Sequence, residues 1–300
     1  MKDLYHVSSS PFAIRAGLFF ARHTPERAGH RLAWWVAGAI CRLKPAVYEV
    51  VTSNLRQVLG PGSDEQALAE ATRGVFYTAI RGYLDLFRAV QLPEVGISDQ
   101  VDVPEATRAV ARSLWDREGG VVVVFPHLGS FDLAGHAMAP YMPEIQLFAL
   151  PNPPAGFQML NESRRLTGIT VTPLSSAALR QAIKLLRRGG VVSVAGDRPV
   201  SDLEDASPFF GRPARVPSGH VRLALKTGAV VSIAYCVLSP ETQRYTAYLE
   251  PPMEMVRTGD REEDVQVNMR RILEGLERLI RRWPDQWQMF VPVWPEPAGE

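Results

Sequence analysis

Apolar residues recur along this chain with two different periods. Over the first ninety residues they return every three or four positions, which predicts helices: PFAIRAGLFFAR and ERAGHRLAWWVAGAICRL between Pro11 and Leu43, then helices over residues 46–59 and 64–91. His23-Thr24-Pro25 separates the first two, with Thr24 as a candidate N-cap ahead of a helix-opening proline. Ser63 is the candidate cap of the fourth, with Asp64 and Glu65 in its first turn. A Pro-containing connector from Leu92 to Pro104 and a helix to about Arg117 follow.

At Gly119-Gly120 the pattern changes. VVVVF is a continuous β-branched run, as expected of a strand buried on both faces. Further runs at residues 145–150, 169–172, 191–195 and 230–237 alternate with helical stretches near 130–139, 154–166, 175–188 and 217–227. A last strand over 242–250 and a long amphipathic helix over 260–282 complete the series. Alternation of this kind predicts an α/β fold with a central, mostly parallel sheet flanked by helices. The expected organisation is one domain: an N-terminal helical hairpin (1–45), a helical segment (46–118) and an α/β core (119–300).

Composition adds three points. The 46% apolar and 22% charged shares are those of an ordinary folded chain. The formal charge of +1 lacks the basic excess of a nucleic-acid-binding domain. That +1 hides a gradient, since residues 1–56 hold eight basic residues against three acidic ones. Phe12, Phe19, Phe20, Trp34 and Trp35 sit there among Arg15, Arg22, Arg27, Arg31, Arg42 and Lys44, the composition of a helix lying in an anionic membrane surface. A hairpin packed on the rest of the protein is the equal alternative. The longest apolar run, Leu32 to Cys41, has ten residues, half of the roughly 20 needed to span a bilayer. Cys41 and Cys236 are too few for a disulfide framework or a thiolate zinc site, and MKDLYHVSSSP lacks the apolar core of a secretory signal. These features favour a peripheral protein on the cytoplasmic face of the inner membrane.

The strongest chemical signal is VVVVFPHLGSFDLAGH. A buried strand ends and delivers His127 at the carboxyl rim of the sheet, where open α/β sheets bind ligands. Asp132, five residues on, is placed to orient one ring nitrogen and leave the other to accept a proton. Ser130, inside the same stretch, is the expected cap of the following helix and a candidate substrate contact. Asp197-Arg198 follows the strand VVSVA and falls on the same rim, although a turn role is the plain alternative. Asp202 and Glu204 lie in the next loop as further candidates to complete a relay. Arg164 reads either as a surface charge at a helix end or as an anion contact. Arg212 and Arg215 follow Phe210 near a helix start at Pro217, a candidate anion site to which Phe210 and Arg215 contribute. His136 and His220 read as packing residues, His220 with a site role equally open.

His127-Leu-Gly-Ser-Phe-Asp132 resembles the HX4D/E motif of the lysophospholipid-acyltransferase-like superfamily, in particular its bacterial glycolipid branch of lipid A and phosphatidylinositol mannoside acyltransferases. Asn54-Leu55-Arg56, Arg164 before Gly168, Asp197-Arg198, Phe209-Phe210-Gly211 with Pro217-Ser218-Gly219, and Trp283-Pro284-Asp285-Gln286-Trp287 are similar to that branch in order and spacing. Pro199 departs from its pattern. The resemblance implies that His127 deprotonates an acceptor hydroxyl that attacks the thioester of acyl-CoA or an acyl carrier protein directly, with the acidic residue polarising the histidine. It also implies no cofactor beyond that co-substrate, Arg164 as a phosphate or oxyanion contact, and a membrane glycolipid as acceptor. Aspartate in the motif leans toward the mannoside group.

Overall fold

The computed structural model describes residues 11–92, 96–142, 144–149, 161, 164, 168–199 and 206–294. Helices α1 (Pro11–His23), α2 (Glu26–Leu43), α3 (Ala46–Leu59) and α4 (Glu65–Gln91) come first. A short helix α5 (Ile97–Gln100), strand β1 (Val101–Asp102) and helix α6 (Glu105–Trp115) lead into the core. The core runs β2 (Val121–Phe125), α7 (Phe131–Met138), β3 (Ile145–Ala149), β4 (Ile169–Pro173), α8 (Ser176–Arg187), β5 (Val191–Ala195), β6 (Ser207–Phe209), β7 (Arg212–Ala214), α9 (Gly219–Thr227), β8 (Val230–Leu238), β9 (Tyr245–Leu249) and α10 (Arg261–Arg282), with a closing 3-10 turn at Pro284–Gln286.

Seven strands form one sheet in the order β1-β9-β8-β2-β5-β3-β4. All neighbours are parallel except β8 and β9. The β-branched run of β2 sits at the centre, and its alternate residues point to opposite faces. Val122 and Val124 enter one core with α8, α9, α10 and part of α4; Val121 and Val123 enter the other with α1, α6 and α7. A strand covered on both faces needs an unbroken apolar sequence, which is why VVVVF does not alternate.

Helix α4 is the pillar beside the sheet. Its N-cap Asp64 accepts the backbone N–H of Gln66, so the cap is Asp64 and not Ser63. Helix α2 packs on α4 through its buried small residues Gly29, Ala33 and Ala37, which let the two backbones approach. One buried carboxylate ties both helices to the sheet: Asp85 on α4 accepts from His30 Nε2 at 2.7 Å, Arg81 Nε at 3.3 Å and the Tyr245 hydroxyl of β9 at 3.1 Å. Helix α2 has Pro25 at its N-cap with no side-chain bond, so Thr24 does not cap it; the Thr24 carbonyl instead accepts from Arg88. Helix α10 is capped by Asp260, which accepts from the N–H groups of Glu262 and Glu263.

The expected helices and strands of the core appear within a few residues of their anticipated bounds. The helix expected over 154–166 falls largely outside the described residues. The hairpin β6–β7, the short strand β1 and the one-turn helix α5 are not displayed by the apolar pattern. Strands of two or three residues are too brief to show a period of two, and Phe210 and Gly211 between β6 and β7 take positive φ values of 50° and 76°, which a pattern of apolar residues does not display. Among the described residues no helix is long and apolar enough to cross a membrane.

Candidate active site

Strands β2 and β5 are parallel neighbours, with Phe125 paired to Ala195. The chain leaves each strand at the same rim, so the residues two positions beyond, His127 and Asp197, arrive side by side. His127 Nδ1 lies 2.7 Å from Asp197 Oδ1, and the His127 backbone N–H donates to Asp197 Oδ2 at 2.7 Å. A third donor, the indole N–H of Trp287, reaches Oδ2 at 2.8 Å. The Asp197 side chain is fully buried, whereas that of His127 is 16% exposed.

Burial alone would push the Asp197 carboxyl above the usual carboxylate range. The charge of His127, its ring N–H, the Trp287 indole and the His127 backbone N–H outweigh this and hold it below the usual carboxylate range. An ionised Asp197 keeps the proton of neutral His127 on Nδ1. Nε2 then carries the lone pair, the state a general base requires. The rings of Phe131, edge-on at 5.3 Å between centroids, and Phe125, at 6.3 Å, wall the imidazole.

The turn after His127 is held by the C-terminal segment. Gly129 N–H donates to the Gln286 carbonyl at 3.0 Å, Gln288 N–H to the His127 carbonyl at 2.7 Å, and the Gln288 side-chain amide to the Gly129 carbonyl at 2.7 Å. Gly129 takes φ 57°, and a Cβ there would stand 2.4 Å from the Cys236 carbonyl oxygen. Only glycine satisfies both the left-handed backbone and that close approach. Asn54 anchors the same segment from α3, donating to the carbonyls of Met289 and Val291 and accepting from Val293 N–H. Its place in the Asn54-Leu55-Arg56 element is therefore architectural.

The expected pairing of Asp132 with His127 is not what the fold builds. Asp132 lies in the first turn of α7 and meets Arg164: Nε at 2.8 Å and Nη2 at 2.5 Å both donate to its Oδ1, and Arg164 Nη1 donates to Asn161 Oδ1 at 2.9 Å. The physical reason is the turn at Gly129. It starts α7 on a new axis and carries Asp132 toward Arg164, while the strand register has already brought Asp197 against Nδ1. Arg164 is buried, so the surface-charge reading does not hold for it. Ser130 occupies the N-cap position of α7 without a side-chain bond to the helix and is buried beside Gly82 of α4. A small crevice lined by Gly82, Tyr83, Ser130, Phe131, Asp132 and Gln288 opens there.

Phe210 is committed to the core. Its ring packs among Phe209, Trp287 and Trp294, and its backbone N–H donates to Glu277 at 2.6 Å. Arg198 is half-buried next to Asp197, and Arg215 is exposed between β7 and α9. Asp202 and Glu204 lie outside the described residues. His220 is buried in the first turn of α9 with neither ring nitrogen hydrogen-bonded, and burial pushes it down to about 4. His136 is buried as expected of a packing residue. Among the described residues no group of three or more His, Cys, Asp or Glu is placed to hold a metal ion. The sequence assigns no site role to Trp287 or Gln288; the Trp283-Pro284-Asp285-Gln286-Trp287 element ends on Trp287 and is the signal for it, and no motif includes Gln288.

A mainly parallel α/β sheet whose central rim holds a histidine paired with a buried carboxylate is a framework suited to acyl transfer. The chain belongs to the bacterial lipid A biosynthesis acyltransferase family, whose model matches residues 4–296. It is similar to phosphatidylinositol mannoside acyltransferases of two mycobacteria. The protein of Mycobacterium tuberculosis (strain CDC 1551 / Oshkosh) is 25% identical over 298 residues, covering 96% of this chain and 89% of the relative. That of Mycolicibacterium smegmatis is 24% identical over 287 residues, covering 93% and 89%.

Proposed function

We propose that this acyltransferase moves a long-chain fatty acyl group from acyl-CoA or an acyl carrier protein to a sugar hydroxyl of a membrane glycolipid, a phosphatidylinositol mannoside. The observation that carries the mechanism is the His127–Asp197 pair: a buried carboxylate on Nδ1 and a partly exposed ring at the carboxyl rim of the sheet. His127 Nε2 removes the proton of the acceptor hydroxyl, the oxygen forms a bond to the thioester carbonyl carbon, and the carbon–sulfur bond breaks. The proton held on His127 goes to the departing thiolate, so no acyl-enzyme intervenes and no cofactor is needed. Arg164, held on Asp132, is suited to a phosphate or to the developing oxyanion. The acceptor follows the names of the two mycobacterial relatives.

The membrane side of this reading rests on exposure. Phe19 and Phe20 on α1 and Leu32, Trp34, Trp35 and Leu43 on α2 face outward, with Trp35 74% and Leu43 79% exposed. Arg22, Arg27, Arg31, Arg42 and Lys44 are exposed among them. Apolar rings flanked by arginines fit a surface of anionic lipid headgroups on the cytoplasmic face.

Purified protein given palmitoyl-CoA and a mannosylated phosphoinositide releases CoA and forms the acylated glycolipid, and His127→Ala abolishes both. Turnover surviving in His127→Ala would overturn the mechanism. CoA release at full rate without a glycolipid would make the protein a thioesterase. Acylation of a lipid A precursor in preference to the mannoside would move the acceptor to the other arm of the family.

A further inference from the structure

We infer that Trp287 is a positioning residue for the reaction, acting through its indole N–H on the Asp197 carboxylate; this rests on the reading of His127 as the base. Among the described residues Asp197 has three donors on its two oxygens. Oδ1 serves His127 Nδ1, and Oδ2 serves the His127 backbone N–H and Trp287 Nε1. Of the three, only Trp287 comes from outside the histidine itself. Without it both anchors of the carboxylate would lie on the residue it is meant to orient.

The indole is built to hold one direction. Trp287 is 1% exposed and packs against Phe209, Phe210 and Trp294, with ring centroids 6.1 to 6.5 Å away. Its backbone N–H bonds to the Pro284 carbonyl, and the residue bridges to Leu128, one position past the histidine. A ring fixed on every side presents its N–H without rotamer search, so the donor is preorganised when charge develops on the imidazole. Packing alone asks only for an aromatic ring. The N–H aimed at a buried carboxylate asks for tryptophan.

The contribution is to orientation and electrostatics, so it is read in turnover and pH dependence. Trp287→Phe keeps a ring and deletes the donor. It is expected to lower kcat about tenfold with the KM for palmitoyl-CoA unchanged. Asp197, with its charge less neutralised, then favours the imidazolium, so the acidic limb of the kcat/KM profile moves up by about half a unit. Where Phe perturbs folding, benzothienylalanine at position 287 retains the bicyclic shape without the N–H and is expected to give the same two changes. In an Asp197→Asn background the Trp287→Phe change costs no further activity, because the two act as one unit. An unmoved acidic limb with the shape-matched replacement, or an equal loss in the wild-type and Asp197→Asn backgrounds, would reduce Trp287 to core packing. Either result leaves the role of His127 standing if His127→Ala is inactive, whereas an active His127→Ala removes the base itself.

Discussion

His127 and Asp197 stand 70 residues apart in the chain and 2.7 Å apart in space. Each follows its strand by two residues, and the strands pair Phe125 with Ala195. Replacing the carboxylate by an amide keeps the shape and removes the charge that stabilises the imidazolium and selects its tautomer. Asp197→Asn is expected to lower kcat by about 10² to 10⁴ with a cooperative unfolding transition retained. Near wild-type turnover in Asp197→Asn, with Asp132→Asn inactive, would return the orienting role to Asp132.

Asp132 and Arg164 form a largely buried ion pair, with side chains 10% and 9% exposed. Removing one partner of such a pair leaves an uncompensated charge, and removing both does not. Arg164→Met is expected to cost about 3 kcal/mol in urea unfolding, and Arg164→Met with Asp132→Leu to regain a large part of it. A double variant as unstable as the sum of the two single ones would show that the pair is not coupled.

His220 titrates near 4 in the folded protein, below its ordinary value near 6.5. The unfolded chain therefore binds this proton first as the pH falls. Folded stability is full above about 6.5 and is lost progressively toward about 4, by up to about 3 kcal/mol. His220→Leu, which removes the unpartnered nitrogens, is expected to flatten the fall in Tm between pH 7 and pH 5. An unchanged slope would place that acid sensitivity in other groups.

Trp35 and Leu43 are the apolar side chains most open to solvent on α2. Burying two such groups in the headgroup region contributes about 3 kcal/mol together. Trp35→Ser with Leu43→Ser is expected to weaken co-sedimentation with anionic vesicles at least about tenfold. Binding that survives the double change but falls in high salt would assign attachment to the arginines instead.

Much of this protein was legible in its residues. VVVVF, the Gly119-Gly120 break and the alternating apolar stretches determined the α/β class and most element bounds, because strand and helix periods are local properties of the chain. The strand-to-turn exit at His127 and the strand-end position of Asp197 marked both as rim residues for the same reason. The basic, aromatic α1 and α2 could also be read, although which of their residues stay outside could not: Ala33 and Ala37 disappear against α4 while Trp35 between them remains in solvent.

The choice of carboxylate was decided by tertiary structure. Sequence proximity favoured Asp132, five residues from His127. Strand order put β5 beside β2, its register carried Asp197 to Nδ1, and the Gly129 turn sent Asp132 to Arg164. Trp287 completes the same site from the far end of the chain. Strand adjacency is a property of the whole sheet, fixed by packing on both its faces, and no short stretch of residues carries it.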